Sequence, residues 1–197
     1  MSVSHYRRFT PNLSPPPPPQ DVNIKRSRVI QHGLPPDDFI LCPDLGYFLW
    51  VASLDWGWIE KGLDIFTDLA RMHPELQFVA YGAYKKREDL KDKLNNIAKE
   101  LSNFEFRGEL TRGQKHKDVF CGATAFFMPT HDTIGESFGM TVIEALSKGV
   151  PVIASVNGAV PEILDIRDAQ GKRADNGSSP YGHTCIDLND YDIALKK

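Results

Sequence analysis

From Arg28 onward, short apolar runs alternate with segments whose apolar residues recur every three or four positions. GYFLWVAS (46–53), LQFVAYG (76–82), TAFFMPT (124–130) and VPVIAS (150–155) are apolar on both alternating sets of positions and short, which predicts buried strands. FEFRGEL (104–110) and HTCID (183–187) read as two further strands. EKGLDIFTDLARMHP (60–74) carries Leu63, Phe66, Leu69 and Ala70 at helical spacing and stops at Pro74. KREDLKDKLNNIAKELS (86–102) repeats Leu90, Leu94, Ile97 and Leu101 on one face and mixed charge on the other. RGQKHKDVFCGA (112–123) is a shorter helix candidate, a helix is predicted from Phe138 to Lys148, stopped by Gly149, and VPEILD (160–165) is a helical turn. Doubly apolar strands alternating with amphipathic helices imply an α/β fold with a mainly parallel, doubly wound, Rossmann-like sheet covered on both faces.

The first 27 residues break this pattern. LSPPPPPQ is stiff and extended and cannot enter a sheet interior, so residues 1–27 read as a Pro-rich segment or interdomain linker and 28–197 as the folded domain. A Pro-rich ligand for another domain is the less favoured reading of that run. A chain of 197 residues with 41% hydrophobic and 25% charged residues suits one well-filled soluble domain. A net charge of -3 offers no general attraction for nucleic acid or anionic membrane, so any bound phosphate must be held locally. Cys42, Cys121 and Cys185 are odd in number and widely spaced, which argues against a disulfide framework or a zinc site and for a reducing compartment. No run approaches the ~18 apolar residues of a membrane helix, and the polar start MSVSHYRRFT is no signal peptide. A cytoplasmic protein is expected, peripheral at a membrane through a partner if it meets one at all.

The candidate chemistry lies in HDTIGESFGMTVIEALSKGVPVIAS (131–155), where Glu136 and Glu144 stand eight positions apart across a predicted loop-to-helix junction. The first amides of a helix have no internal acceptor and the helix dipole adds partial positive charge. Ser137, Phe138 and Gly139 enter that first turn, and Gly139 lets a ligand approach the backbone, so the junction can hold an anion such as phosphate. The two carboxylates suit hydroxyls rather than phosphate, and Glu144 is expected about two turns into the helix, roughly 9 Å along its axis. One carboxylate on either side of a diphosphate is the arrangement a nucleotide sugar needs. On spacing alone the plainer explanation is favoured, with Glu136 complementing the helix dipole and Glu144 an exposed helix residue.

The whole string GESFGMTVIEALSKGVPVIASVNGAVPEIL resembles the donor-binding signature of the retaining B-fold glycosyltransferases of group 1, or family 4-like, type. The matching features are Glu136, Phe138-Gly139, Glu144-Ala145, Gly149-Val150-Pro151-Val152 and Gly158 through Glu162. Upstream, VIQHGLPPDDF (29–39) is similar to the opening of the family's C-terminal domain, and WIEKGLDIFTDLA (58–70) to its Glu-Lys-Gly helix. The resemblance runs over about residues 29–197, the C-terminal half of a GT-B architecture. It implies that Glu136 contacts hydroxyls of the transferred sugar and Glu144 the ribose. It further implies that backbone around Ser137, Phe138, Gly139, Met140 and Thr141 holds the distal phosphate, and Lys61 the diphosphate. Arg107, Gly108, Glu109 and Leu110 would border the base. From the residues alone, Lys61 reads equally well as a solvated lysine at a helix start.

One departure concerns charge: where the family carries an Arg before the Glu-Lys-Gly helix, this chain has Ser53. Trp56 and Trp58 are also unusual there, as packing residues or as changes to the donor pocket. The acceptor half of such enzymes is missing from the chain, so a truncated or a split protein is expected, with an N-terminal glycosyltransferase domain in cis or as a separate chain. None of the six histidines takes the role of the cleft histidine that the missing half supplies. Asp190-Tyr191-Asp192 matches an Asp-x-Asp metal motif only at the chain end, and His131-Asp132 reads as support for the donor loop rather than as an acid–base pair. The resemblance therefore implies the nucleotide-sugar-binding domain of a retaining, metal-independent hexosyltransferase. No metal or cofactor is called for beyond the nucleotide-diphosphate sugar donor, and Glu136 is the one candidate for a catalytic contact. The alternatives are a non-catalytic nucleotide- or protein-binding module, and a nucleotide-sugar epimerase-like protein.

Overall fold

The computed structural model describes residues 33–34, 41–84, 87, 89–110, 119–131, 136–166, 177–178 and 184–186. The Pro-rich run, residues 112–118 of the shorter helix candidate, and Asp190-Tyr191-Asp192 lie outside them. The strands are β1 (Tyr47–Val51), β2 (Gln77–Tyr81), β3 (Phe104–Phe106), β4 (Ala123–Met128), β5 (Val152–Ser155), β6 (Gly177–Ser178) and β7 (Thr184–Ile186). The helices are α1 (Leu63–Met72), α2 (Asp89–Glu100), α3 (Met140–Ser147) and the single turn α4 (Val160–Ile163), with a 3-10 turn at Leu54–Trp56. They form one sheet of order β3-β2-β1-β4-β5-β7-β6. Every pairing is parallel except that of β7 with β6, a short antiparallel edge strand that had no sequence signal.

The doubly apolar strands are explained by two cores, one on each face. Trp50, Phe78, Ala80 and Phe127 point toward α1 and α2, where Leu63, Phe66, Leu69, Leu90 and Leu94 meet them. Phe66 sits against Phe78 and Phe127 with ring centroids at 5.2 and 5.9 Å. Leu49, Val51, Val79, Phe126, Val152 and Ala154 face the other way, onto Val142 and Ala145 of α3 and Val160 and Leu164 around α4. This is the two-sided covering that the sequence predicts.

Strand order running outward from β1 in both directions creates a switch point between β1 and β4, where the connections leave to opposite faces and a crevice opens at the carboxyl ends. Two left-handed glycines shape the helices on either side. Gly62 (φ 68°) precedes α1, and a Cβ there would stand 1.9 Å from the Pro129 carbonyl oxygen at the end of β4. Gly139 (φ 70°) precedes α3 and delays its start from the expected Phe138 to Met140.

The cysteine reading is corrected here. Cys42 and Cys121 are bonded, with Cα atoms 5.0 Å apart across 79 residues of sequence. The pairing of β1 with β4 brings them together: Leu45 N–H donates to the Gly122 carbonyl at 2.8 Å and the Tyr47 hydroxyl to the Cys121 carbonyl at 2.8 Å. Spacing along the chain carries no trace of that adjacency, and the bond removes the support the cysteines lent to a reducing compartment. Among the described residues no helix is long and apolar enough to cross a membrane. Proteolytic mapping without reductant is expected to recover the Cys42 and Cys121 peptides as one cross-linked species. Recovery of the two as separate free-thiol peptides would show the cysteines to be unpaired.

Candidate functional site

The crevice at the switch point is a cleft of about 330 Å³, at the lower end of ordinary small-molecule sites. Three short stretches build it: Trp50 to Ser53 at the end of β1, Met128 and Thr130 at the end of β4, and Glu136 to Thr141 running into α3. Lys61 closes the fourth side from the loop before α1. Seven predicted site residues therefore come together: Lys61, Glu136, Ser137, Phe138, Gly139, Met140 and Thr141.

Lys61 and Glu136 are 75 positions apart and meet as an ion pair, Nζ to Oε2 3.4 Å, with side chains 16% and 21% exposed. The other oxygen, Oε1, accepts the Gly139 N–H at 3.0 Å. Helix geometry leaves the amides of Met140 and Thr141, the first two of α3, without an intrahelical acceptor. A cation, a carboxylate and a helix N-terminus thus converge on one small volume.

Each is held by buried structure. The Trp50 indole N–H donates to the Lys61 carbonyl at 3.0 Å, and Gly62 permits the close crossing over Pro129. Asn157, 5% exposed, accepts the Glu136 N–H on Oδ1 at 2.9 Å and donates from Nδ2 to the His131 carbonyl at 2.9 Å and the Thr130 carbonyl at 3.4 Å. Ser155 Oγ donates to the Thr130 carbonyl at 2.5 Å. The next residue, Gly158 (φ 55°), passes so near that a Cβ would lie 2.0 Å from the Glu136 carbonyl oxygen, which accepts the Ala159 N–H at 3.2 Å. His131 N–H donates to the Glu60 carbonyl at 3.0 Å. Its Nε2 and Asp64 Oδ1 are buried atoms with no hydrogen-bond partner, and Nε2 stands 3.9 Å from Asp64 Oδ2. Thus His131 ties the loop before α1 to the end of β4; Asp132 lies outside the described residues.

Several expectations shift. Because α3 begins at Met140, Glu144 sits about one turn into the helix rather than two, ~6 Å along the axis at 1.5 Å per residue. It is half-buried and does not line the cleft. Arg107, Gly108, Glu109 and Leu110 do not line it either. The Arg107 guanidinium turns back to Glu105 at 2.7 Å and the Tyr81 hydroxyl at 3.2 Å, and the bond to Glu105 raises its pKa above the ordinary arginine value. Gly108 caps the strand ladder, its carbonyl accepting the Gly82 N–H at 2.9 Å, and Leu110 packs on the core. Ser53 does line the cleft, and its hydroxyl accepts the Asp55 N–H at 3.4 Å, so this position is polar but uncharged. Trp58 is a packing residue, 7% exposed beneath the Lys93 ammonium 4.1 Å from its ring centroid; the Trp56 side chain lies outside the description. Sequence reasoning missed Trp50 and Asn157. Only the Asn157-Gly158 pair, a turn signal after a strand, offered a cue.

A doubly wound sheet with a helix N-terminus and a lysine at its switch point places a ligand crevice at the carboxyl ends of the strands. The family described as glycosyl transferases group 1 matches residues 46–177, and the chain belongs to that family. It is 30% identical over 116 residues to the sulfoquinovosyl transferase SQD2 of Arabidopsis thaliana, covering 58% of this chain and 20% of that one. It is 28% identical over 149 residues to the phosphatidylinositol N-acetylglucosaminyltransferase gpi3 subunit of Schizosaccharomyces pombe, covering 73% and 32%. The chain thus spans about a fifth to a third of the length of these curated relatives. Among solved structures, Anabaena HepE in complex with UDP and glucose superposes with a TM-score of 0.60 at 18% identity, over 86% of this chain and 46% of that one. The C-terminal domain of the group 1 family protein LpcC from Francisella tularensis superposes with a TM-score of 0.58 at 17% identity, over 84% and 89%. The fold is therefore that of the C-terminal domain of a group 1 glycosyltransferase.

Replacing Asn157 by Ala is expected to destabilise the domain by ~1–3 kcal/mol, because the Glu136 amide and the His131 carbonyl lose a buried partner. Chemical denaturation of the variant measures this. Wild-type stability would show that Asn157 does not hold the Glu136 loop.

Proposed function

We propose that this domain binds a nucleotide-diphosphate sugar and forms the donor half of a retaining, metal-independent hexosyltransferase. The observation that carries the reading is the convergence of Lys61, Glu136 and the N-terminus of α3 in the cleft between β1 and β4. The diphosphate lies against the first amides of α3 and the Lys61 ammonium, which neutralise the charge that builds on it as the sugar–phosphate bond breaks. Glu136, in the loop before α3, accepts hydroxyls of the transferred sugar, and Glu144, about one turn into α3 and outside the cleft lining, is left for the ribose beyond it. Such stabilisation of a leaving group calls for neither a side-chain nucleophile nor a bound metal. An N-terminal acceptor domain, in the same protein or as a separate chain, supplies the second substrate. The length of the relatives supports this, since the present chain corresponds to a minor part of each.

Ser53 favours a second reading, in which the domain binds nucleotide without transferring sugar, because Lys61 is then the one cation lining the described cleft. Calorimetric titration with UDP-, GDP- and ADP-sugars separates the possibilities. Saturable binding of at least one donor, weakened about tenfold or more by Lys61→Ala, is the expected result. Failure of every donor to bind, or affinity indifferent to Lys61→Ala, would remove the donor-site assignment. Slow donor hydrolysis by the domain would speak against a purely binding role.

A further inference from the structure

The same cleft contains a contact that donor binding does not explain. Glu136 engages two groups assigned above to the diphosphate: Lys61 Nζ through Oε2 and the Gly139 amide through Oε1. Both oxygens of one carboxylate therefore lie where anionic oxygens are favoured, beside a cation and at a helix N-terminus. The backbone of Glu136 is fixed on both sides, by Asn157 at its N–H and by the Gly158–Ala159 crossing at its carbonyl. Only the side chain is left to move.

We infer that the Glu136 carboxylate serves as an internal anion that closes the phosphate site on itself, and that the donor's diphosphate displaces it. A diphosphate and this carboxylate cannot share Lys61 and the Gly139 amide without placing like charges in contact. Once the phosphate takes these partners, the carboxylate must rotate into the remaining cleft, where the sugar of an intact donor offers hydroxyls to it. A nucleoside diphosphate lacking the sugar breaks the same ion pair and offers nothing in return. Glu136 is therefore a specificity-determining residue that sets the preference for intact donor over spent nucleotide. This rests on the donor-site reading and adds a second role to the residue.

The test compares wild type, Glu136→Gln and Glu136→Ala by calorimetry, with inorganic pyrophosphate and with the UDP, GDP or ADP matching the donor that binds. Glutamine keeps an acceptor for the Gly139 amide but carries no charge to hold Lys61; alanine removes both contacts. Thermal melts identify any variant that fails to fold, and one folded variant suffices. Pyrophosphate and nucleoside diphosphate are expected to bind at least threefold tighter to the variants, while the preference for sugar-bearing donor over its nucleotide shrinks. Wild-type binding of these anions with equal or weaker binding by the folded variants would overturn the displacement and leave the donor site standing. No binding of pyrophosphate, nucleotide or donor to any of the three would overturn both.

Discussion

The site depends on one backbone crossing, in which the Asn157-Gly158 turn after β5 passes directly beneath Glu136. Gly158 leaves no room for a side chain against the Glu136 carbonyl, and Asn157 takes up the Glu136 amide with one end of its carboxamide and the His131 and Thr130 carbonyls with the other. A single buried side chain thus pins the end of β4 and the approach to α3 to the same strand. Without it the carboxylate would belong to a loop rather than to the sheet. A site accurate enough to discriminate hydroxyls needs the rigidity that comes from a packed second layer.

The opposite wall follows the same logic. Lys61 precedes a helix and would ordinarily be a mobile surface lysine, yet its carbonyl is bonded by the indole of Trp50, itself 1% exposed in the core between sheet and α1. Gly62 then crosses Pro129 at a distance no other residue tolerates. In both walls the functional side chain sits beside a glycine that allows backbone to touch backbone. The Lys61-Gly62 pair and the Gly158 through Glu162 turn are thereby given a mechanical reason: these glycines set the distance between the two walls.

The alternation of apolar runs and helical periods was sufficient to read the parallel sheet, its two cores and the site's location at a strand-to-helix junction, because burial writes directly into the pattern. The seven residues that line the cleft together were indicated, as a set, by the family resemblance and not by the periodicity. What the pattern could not carry were facts that depend on a neighbour far along the chain. Arg107 turns to Glu105 and Tyr81, a choice set by side-chain partners and not by strand position. Gly139 can sit inside a predicted helix or just before it; its left-handed φ places it before, and Glu144 lies about half a turn nearer the helix start as a result. Cys42 and Cys121 are paired by the adjacency of β1 and β4, which no spacing rule shows. Asn157 was invisible because a polar residue after a strand reads as an ordinary turn until its three partners are seen.

The replacement of the expected arginine by Ser53 matters differently in this setting than it would on an open surface. The cleft is walled by Trp50, Val51, Met128 and Phe138, so the remaining cation acts across a medium far less polarizable than water. Its pull on an anion is strengthened there, and so is its pull on Glu136. A second cation would have left one charge to receive phosphate while the other held the carboxylate. In the proposed donor complex, with Lys61 the one cation lining the described cleft, phosphate and Glu136 compete for it. On the proposed donor reading, an uncharged residue at position 53 does more than weaken binding: it couples what happens at the phosphate end of the cleft to the orientation of the group at the sugar end.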